Sequence, residues 1–226
     1  MGDKIKRSME EVVYETLKNA ILNRSLAPGT QLIESTIADR MEVSRTPIRN
    51  AIKRLALEGF VTIIPNRGAF IIQPSLEEII QAYKMREELE CIAIKFGIDK
   101  IVEDDINILE NLVKKELEAL TKKDIIEYFS VNKKFHTMLA LKSGNKYLIK
   151  FIESIINQIN IYLILYDTFY NTDLQFPSIE EHKKMIYFIK NKDCSNLQSL
   201  ITNHINSGLN DLQIDKVQYK SLNDIF

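Results

Sequence analysis

Val43-Ser44-Arg45-Thr46-Pro47-Ile48-Arg49-Asn50-Ala51-Ile52-Lys53-Arg54-Leu55 carries two patterns at once. Ile48, Ile52 and Leu55 fall on one side of an α-helix, while Arg45, Arg49 and Lys53 recur every four residues and share the other. Ser44 stands at the N-cap position, Pro47 lies in the permissive first turn, and Gly59 closes the helix. Upstream, the apolar spacing of Met9, Val12, Val13, Leu17, Ala20 and Ile21 predicts a helix ended by the Pro28-Gly29 turn, and a short second helix covers Ser35 to Met41. Downstream, the β-rich runs Phe60 to Ile64 and Ala69 to Ile72 flank Pro65-Asn66-Arg67-Gly68, a hairpin signature. Two helices separated by a tight turn and followed by a hairpin describe a winged helix-turn-helix.

A basic stripe alone is most often a solvated helix face. Beside a wing it points to DNA: Arg45 and Arg49 suit guanine edges in the major groove, and Lys53 suits phosphate. Ser44 and Thr46 sit where free helix amides also favour anions, and Arg67 lies at the hairpin tip.

The stretches Leu26-Ala27-Pro28-Gly29, Ile37-Ala38, Val43 to Leu55, Glu58-Gly59-Phe60 and Pro65-Asn66-Arg67-Gly68-Ala69-Phe70 closely resemble the DNA-binding domain of the GntR family of regulators. The resemblance implies DNA contacts at Arg45, Thr46, Arg49 and the wing Gly68. One departure is Ser35, where the family often carries Arg, so a contact there is weakened or lost.

The remainder, residues 74–226, has almost no Gly or Pro and shows helical periodicity. Breaks fall near Val102-Glu103-Asp104, Thr121-Lys122-Lys123, Gly144, Thr172 to Pro177, and Asn191 to Asp193. The fold expected is therefore mostly α: a winged helix-turn-helix over residues 1–73 and an antiparallel bundle of about six helices over residues 74–226. The segment after Asp211 matches no pattern.

Composition agrees with two soluble units. Hydrophobic residues at 45% can build cores, and charged residues at 27% are of mixed sign. No apolar run was expected to approach membrane-span length, and the first twenty residues lack the apolar segment of a secretory signal, so the chain reads as cytoplasmic, with no membrane partner. Cys91 and Cys194 have no pairing or zinc-ribbon spacing and read as reduced core thiols. The formal net charge of −1 hides a mild asymmetry: residues 1–73 carry eleven Lys/Arg against eight Asp/Glu, the rest nineteen against twenty-three.

Polar residues on apolar helix faces mark the second candidate site, because an unsatisfied buried polar group is costly. Asn132 and His136 are four apart among Ile125, Phe129, Phe135 and Leu139; His182 lies among Ile179, Met185, Ile186 and Ile189; His204 lies among Leu197, Leu200 and Ile201. Any single one reads most simply as a hydrogen-bonded core histidine. All three histidines of the chain facing inward from different helices, with an amide one turn before the first, make a mixed N/O set suited to a divalent transition metal such as Zn²⁺, Ni²⁺ or Mn²⁺. Arg86 shares a face with Ile79, Tyr83, Glu90 and Ala93, so its guanidinium points at the core, either for an acid ligand or for a buried pair with Glu90.

Asn132-Lys133-Lys134-Phe135-His136, Gly144-Asn145, Glu181-His182-Lys183-Lys184-Met185-Ile186 and Asn203-His204-Ile205 resemble the FadR C-terminal (FCD) domain of one GntR subfamily. The resemblance implies metal ligands at Asn132, His136, His182 and His204, with Asn where many members carry Asp. It also implies a small organic acid effector near Arg86, Tyr83 and Asn145, and a homodimer on a two-fold operator whose affinity the effector controls. Two alternatives stay open: a metal-free bundle that only dimerises, and an enzyme using Glu181 as base beside a metal. The enzyme lacks an HExxH or comparable signature.

Overall fold

The computed structural model of the chain describes residues 7–166 and 177–212. Contacts divide these residues into a unit reaching Ser75, which also takes in residues 161–166, and a second unit of residues 76–160 and 177–212.

In the first unit, helix α1 (Met9–Leu22) starts where the Ser8 hydroxyl accepts the Glu11 amide at 3.1 Å, with Glu10 and Glu11 in the turn that favours anions. Its buried face, Val13, Tyr14, Leu17, Ala20 and Ile21, packs on α3. Helix α2 (Glu34–Met41) ends at Glu42 in the left-handed conformation (φ 55), which makes the tight turn into α3 (Arg45–Leu57). Helix α3 buries Ile48, Ala51, Ile52 and Leu55, as its apolar period predicts. The hairpin forms from β2 (Val61–Ile64) and β3 (Gly68–Ile71). A third strand, β1 (Gln31–Leu32), adds antiparallel to β3 and gives the order β1-β3-β2. Sequence periodicity cannot signal a strand of two residues.

The second unit contains six α-helices among the described residues: α4 (Leu76–Gly97), α5 (Glu103–Thr121), α6 (Ile125–Lys142), α7 (Lys146–Tyr166, to residue 160 in this unit), α8 (Pro177–Lys190) and α9 (Cys194–Asn210), with a short 3-10 helix, Ile98–Lys100, after α4. Four of the expected breaks fall between these helices; Thr172 and the residues up to α8 lie outside the described residues, as does everything after Leu212. Ala93 of α4, Ala140 of α6 and Leu148, Ile152 and Ile156 of α7 share one core cluster. Gly97 lets the end of α4 come against α6: a Cβ there would stand 2.7 Å from the Lys142 carbonyl carbon and 2.8 Å from the Ser143 nitrogen.

Helix α7 corrects the reading of composition, since by length and composition alone it is apolar enough to cross a membrane. Its Leu148, Ile152, Ile156 and Ile159 are buried in the protein, so part of that apolarity goes into packing. Both cysteines are free thiols of intermediate burial.

Candidate metal centre and nucleic-acid face

Helices α6, α8 and α9 each bring one histidine to a common point. The side-chain nitrogens of His136, His182 and His204 that could ligate a metal all lie within 4.8 Å of one another. His136 and His182 are 1% and 0% exposed, and Phe135 stacks on His182 with ring centroids 4.3 Å apart.

Each imidazole is held through Nδ1 by a separate carboxylate. Glu90 of α4 meets His136 at 2.7 Å, Glu116 of α5 meets His182 at 2.7 Å, and Glu181 of α8 meets His204 at 2.6 Å. Burial pushes the His136 imidazole down to about 3 against the pull of Glu90, and it pushes His204 down as well. Burial would raise the Glu90 carboxyl, but Arg86 and His136 outweigh it and hold Glu90 below the usual carboxylate range. Glu116 is likewise lowered, its burial outweighed by the bonds to His182 and Asn132, and the bond from His204 lowers Glu181. A neutral imidazole facing an ionised carboxylate, as at His136, carries the proton on Nδ1 and leaves Nε2 with its lone pair. The Nε2 atoms of His136 and His182 are buried and have no hydrogen-bond partner. Burying an unsatisfied polar atom is costly, so these two atoms fit a metal better than they fit a finished core.

Asn132 is buried on α6 one turn before His136, and its amide nitrogen donates to Glu116 at 2.9 Å. Glu116 thus joins Asn132 to His182. Arg86 is 5% exposed and donates from Nε to Glu90 at 2.6 Å, so the buried pair weighed against a ligand role exists. The pair does not exhaust the guanidinium, because Nη2 is buried without a partner. Tyr83 is buried on α4, and its hydroxyl donates to the Gly208 carbonyl at 3.4 Å. A crevice lined by Glu90, Ala93, Ile94, His136, Leu139 and Ala140 adjoins the histidines without room for a water molecule. Asn145 is exposed, and its carboxamide oxygen accepts the Tyr147 and Leu148 amides at 3.1 and 3.2 Å, capping α7.

Sequence reasoning missed Glu116 altogether. A signal was present, since Glu116 falls in step with Leu109, Leu112, Val113 and Leu120 on the apolar stripe of α5. Glu90 was seen only as a partner of Arg86, and Glu181 only as a base; the structure makes both of them histidine anchors.

On the first unit, Arg45, Thr46, Arg49 and Lys53 are exposed along α3. Ser44 holds the N-cap position (ψ 163), but its side chain makes no cap bond, so the hydroxyl is spare. Arg49 donates from Nε to Glu34 of α2 at 2.7 Å. Arg54, outside the stripe, turns back to α1, pairing with Glu11 at 2.7 Å over the Tyr14 ring. At the wing, Arg67 and Gly68 are exposed, Gly68 has φ 104, and Gln31 of β1 donates to the Arg67 carbonyl at 2.8 Å.

A winged head presenting cations on its second motif helix and at its wing defines a DNA-binding transcriptional regulator. The chain belongs to the GntR family of bacterial regulatory proteins, in the group whose second part is an FCD domain: the GntR family profile matches residues 9–71 and the FCD domain profile matches residues 81–207. It is 28% identical over 195 residues to the HTH-type transcriptional regulator YdhC of Bacillus subtilis, covering 85% of this chain and 86% of that protein. It is also 28% identical over 132 residues to the HTH-type transcriptional repressor RspR of Escherichia coli, covering 58% of each chain. Among solved structures, Escherichia coli McbR/YncC shares the fold with a TM-score of 0.63 at 21% identity, covering 91% of this chain and 97% of that one. A GntR regulator from Rhodococcus superposes with a TM-score of 0.66 at 20% identity, over 90% of this chain and 97% of its own. The matched families are regulators, and the enzyme alternative falls with them.

Proposed function

We propose that the chain represses transcription by binding a two-fold operator as a homodimer, and that a divalent metal and a small carboxylate in the helical unit set its operator affinity. Residues 1–73 form the DNA-binding head, with Arg45 and Arg49 reading base edges. Ser44, Thr46, Lys53, Arg67 and Gly68 meet the backbone or the minor groove. Residues 74–226 form the sensing and dimerising part. Repression follows the name of the Escherichia coli relative RspR, and a protein that binds operators works in the cytoplasm.

The observation that carries the sensor reading is the pair of buried, unpartnered Nε2 atoms on His136 and His182 beside His204, each ring fixed from behind by a carboxylate. His136, His182 and His204 would hold a Zn²⁺, Ni²⁺ or Mn²⁺ ion, with the Asn132 carboxamide oxygen as a neutral fourth ligand. Bound there, such an ion supplies open coordination positions for a carboxylate. Arg86 Nη2 offers a second, charged contact to the same acid, and Tyr83 lies one turn before Arg86 on α4. By linkage, an acid that weakens operator binding must itself bind less tightly to the DNA-bound protein, by the same factor.

The test is elemental analysis and thermal unfolding of the wild type and the His136→Ala, His182→Ala double variant, before and after chelation. The reading expects near-stoichiometric metal in the wild type, a lower melting temperature after chelation, and neither in the variant. Equal, metal-free proteins with matching chelation behaviour would return the histidines to core packing and leave the DNA-binding head as described.

A further inference from the structure

An acidic side chain of α2 faces the basic stripe of α3. Glu34 is the first residue of α2, where the helix N-terminus favours a negative charge. From there it reaches across the turn to α3 and accepts the Arg49 Nε–H at 2.7 Å. Arg49 remains 58% exposed. The bond takes the Nε edge of the guanidinium; among the described residues, Nη1 and Nη2 have no partner. Those two tip donors are the pair with which Arg reads the O6 and N7 acceptors of guanine.

We propose that Glu34 is a positioning residue that fixes the plane of the Arg49 guanidinium, so that guanine discrimination depends on a carboxylate that does not itself contact DNA. The proposal rests on the reading of Arg49 as a base contact. An arginine stem has many rotamers, and restricting them before binding lowers the ordering cost of a bidentate contact without adding a contact. The same carboxylate repels the phosphate backbone, so Glu34 trades general affinity for sequence preference. A carboxylate that merely masked Arg49 would do the opposite, and its removal would raise affinity and preference together. Engagement at the edge, with the tip left open, favours positioning over masking.

The test uses the full-length protein and an operator selected from random duplex DNA. Binding of wild type, Arg49→Ala, Glu34→Ala and Glu34→Gln is measured on the operator, on single base-pair variants of it and on unrelated duplex, at two salt concentrations. Circular dichroism melting confirms folding. Arg49→Ala identifies the guanine position that this side chain reads. At that position alone, Glu34→Ala is expected to lose roughly five- to tenfold in discrimination, part of what a bidentate pair supplies. Its affinity for unrelated duplex should stay equal or rise. Glu34→Gln keeps an acceptor in place and should recover most of the discrimination. Wild-type discrimination in Glu34→Ala, a uniform loss across all sequences, or a gain in both affinity and preference each overturns the proposal. Were Arg49→Ala itself to change no base preference, the contact reading would fail first and take the positioning role with it.

Discussion

The two units use the same residue types in opposite surroundings. In the head, Arg49 and Glu34 pair at side-chain exposures of 58% and 35%, whereas in the bundle Arg86 and Glu90 pair at 6% and 4%. The exposed pair engages one edge of a guanidinium and leaves the rest to water or DNA. Buried carboxylates are engaged twice: Glu90 by Arg86 and His136, Glu116 by Asn132 and His182. The reason is energetic. Water completes the hydrogen bonding of an exposed charge, while a buried charge must find every partner within the protein or cost several kcal/mol. The cations directed outward lie mostly along one helix, whereas the groups directed inward converge from several.

The largest effect that separates the two regions should come from Glu116, whose residue exposure is 0%. Glu116→Ala removes the acceptor of both the His182 ring and the Asn132 amide. Taking one partner from a buried charged network costs about 3–5 kcal/mol, and denaturant unfolding in the presence of a chelator should show it as a loss of that size. Glu116→Gln keeps an acceptor and should lose less. A cost under about 1 kcal/mol for the alanine variant would mean that the carboxylate is no better paired than a surface group, and the contrast between the units would collapse.

Next in size is the effect of the head's cations on binding rather than on stability. Arg45→Ala should cost about 1–3 kcal/mol of operator affinity, concentrated at one base position. Lys53→Ala should weaken all duplexes alike and lower the salt slope by about 1. Neither side chain is buried, so melting temperatures should stay close to wild type. An Arg45→Ala protein that binds normally but melts early would place Arg45 among the structural ion pairs instead.

The head was the more legible unit for the same physical reason. Ile48, Ile52 and Leu55 against Arg45, Arg49 and Lys53 state an inside and an outside in one local stretch, and α3 follows them. What escaped there was non-local: the two residues of β1, the Glu34–Arg49 bond, and the recruitment of Arg54 to Glu11 and Tyr14. In the bundle, helix number and breaks follow from periodicity, and the histidines stand out as polar residues on apolar faces. Their carboxylate partners do not, because Glu90, Glu116 and Glu181 reach them across sequence separations of 46, 66 and 23 residues. Asn145 shows the converse: a motif match placed it with the effector, and local geometry adds a helix-capping bond that the motif did not signal.

The smallest effect tests the exposed end of the comparison with a group that lies between its extremes. Glu58 accepts from the Tyr14 hydroxyl at 2.7 Å and pairs with Lys18 at 2.8 Å, with 31% of its side chain exposed. Burial raises its carboxyl, but the bonds from Lys18 and Tyr14 prevail and hold it below the usual carboxylate range. A lowered pKa in the folded state means that the ionised group stabilises the head at any pH above the unfolded value, and that this contribution is lost as pH falls through the folded value. Lys18 is shifted the other way: burial lowers it, Glu58 and Tyr14 outweigh that, and its contribution is lost only as pH rises past the usual ammonium range. The head should therefore gain from this cluster across neutral pH and lose first at the acid end. Screening by water limits the gain to under about 1 kcal/mol. Amide hydrogen exchange along α1 and α3 in wild type and Glu58→Gln should differ at pH 6 and converge as pH falls below the usual carboxylate range and through the folded-state value, where the carboxylate is protonated in both states of the wild type. A difference that persists unchanged at the lower pH would assign the effect to packing against Tyr14, and would move this cluster to the buried side of the comparison.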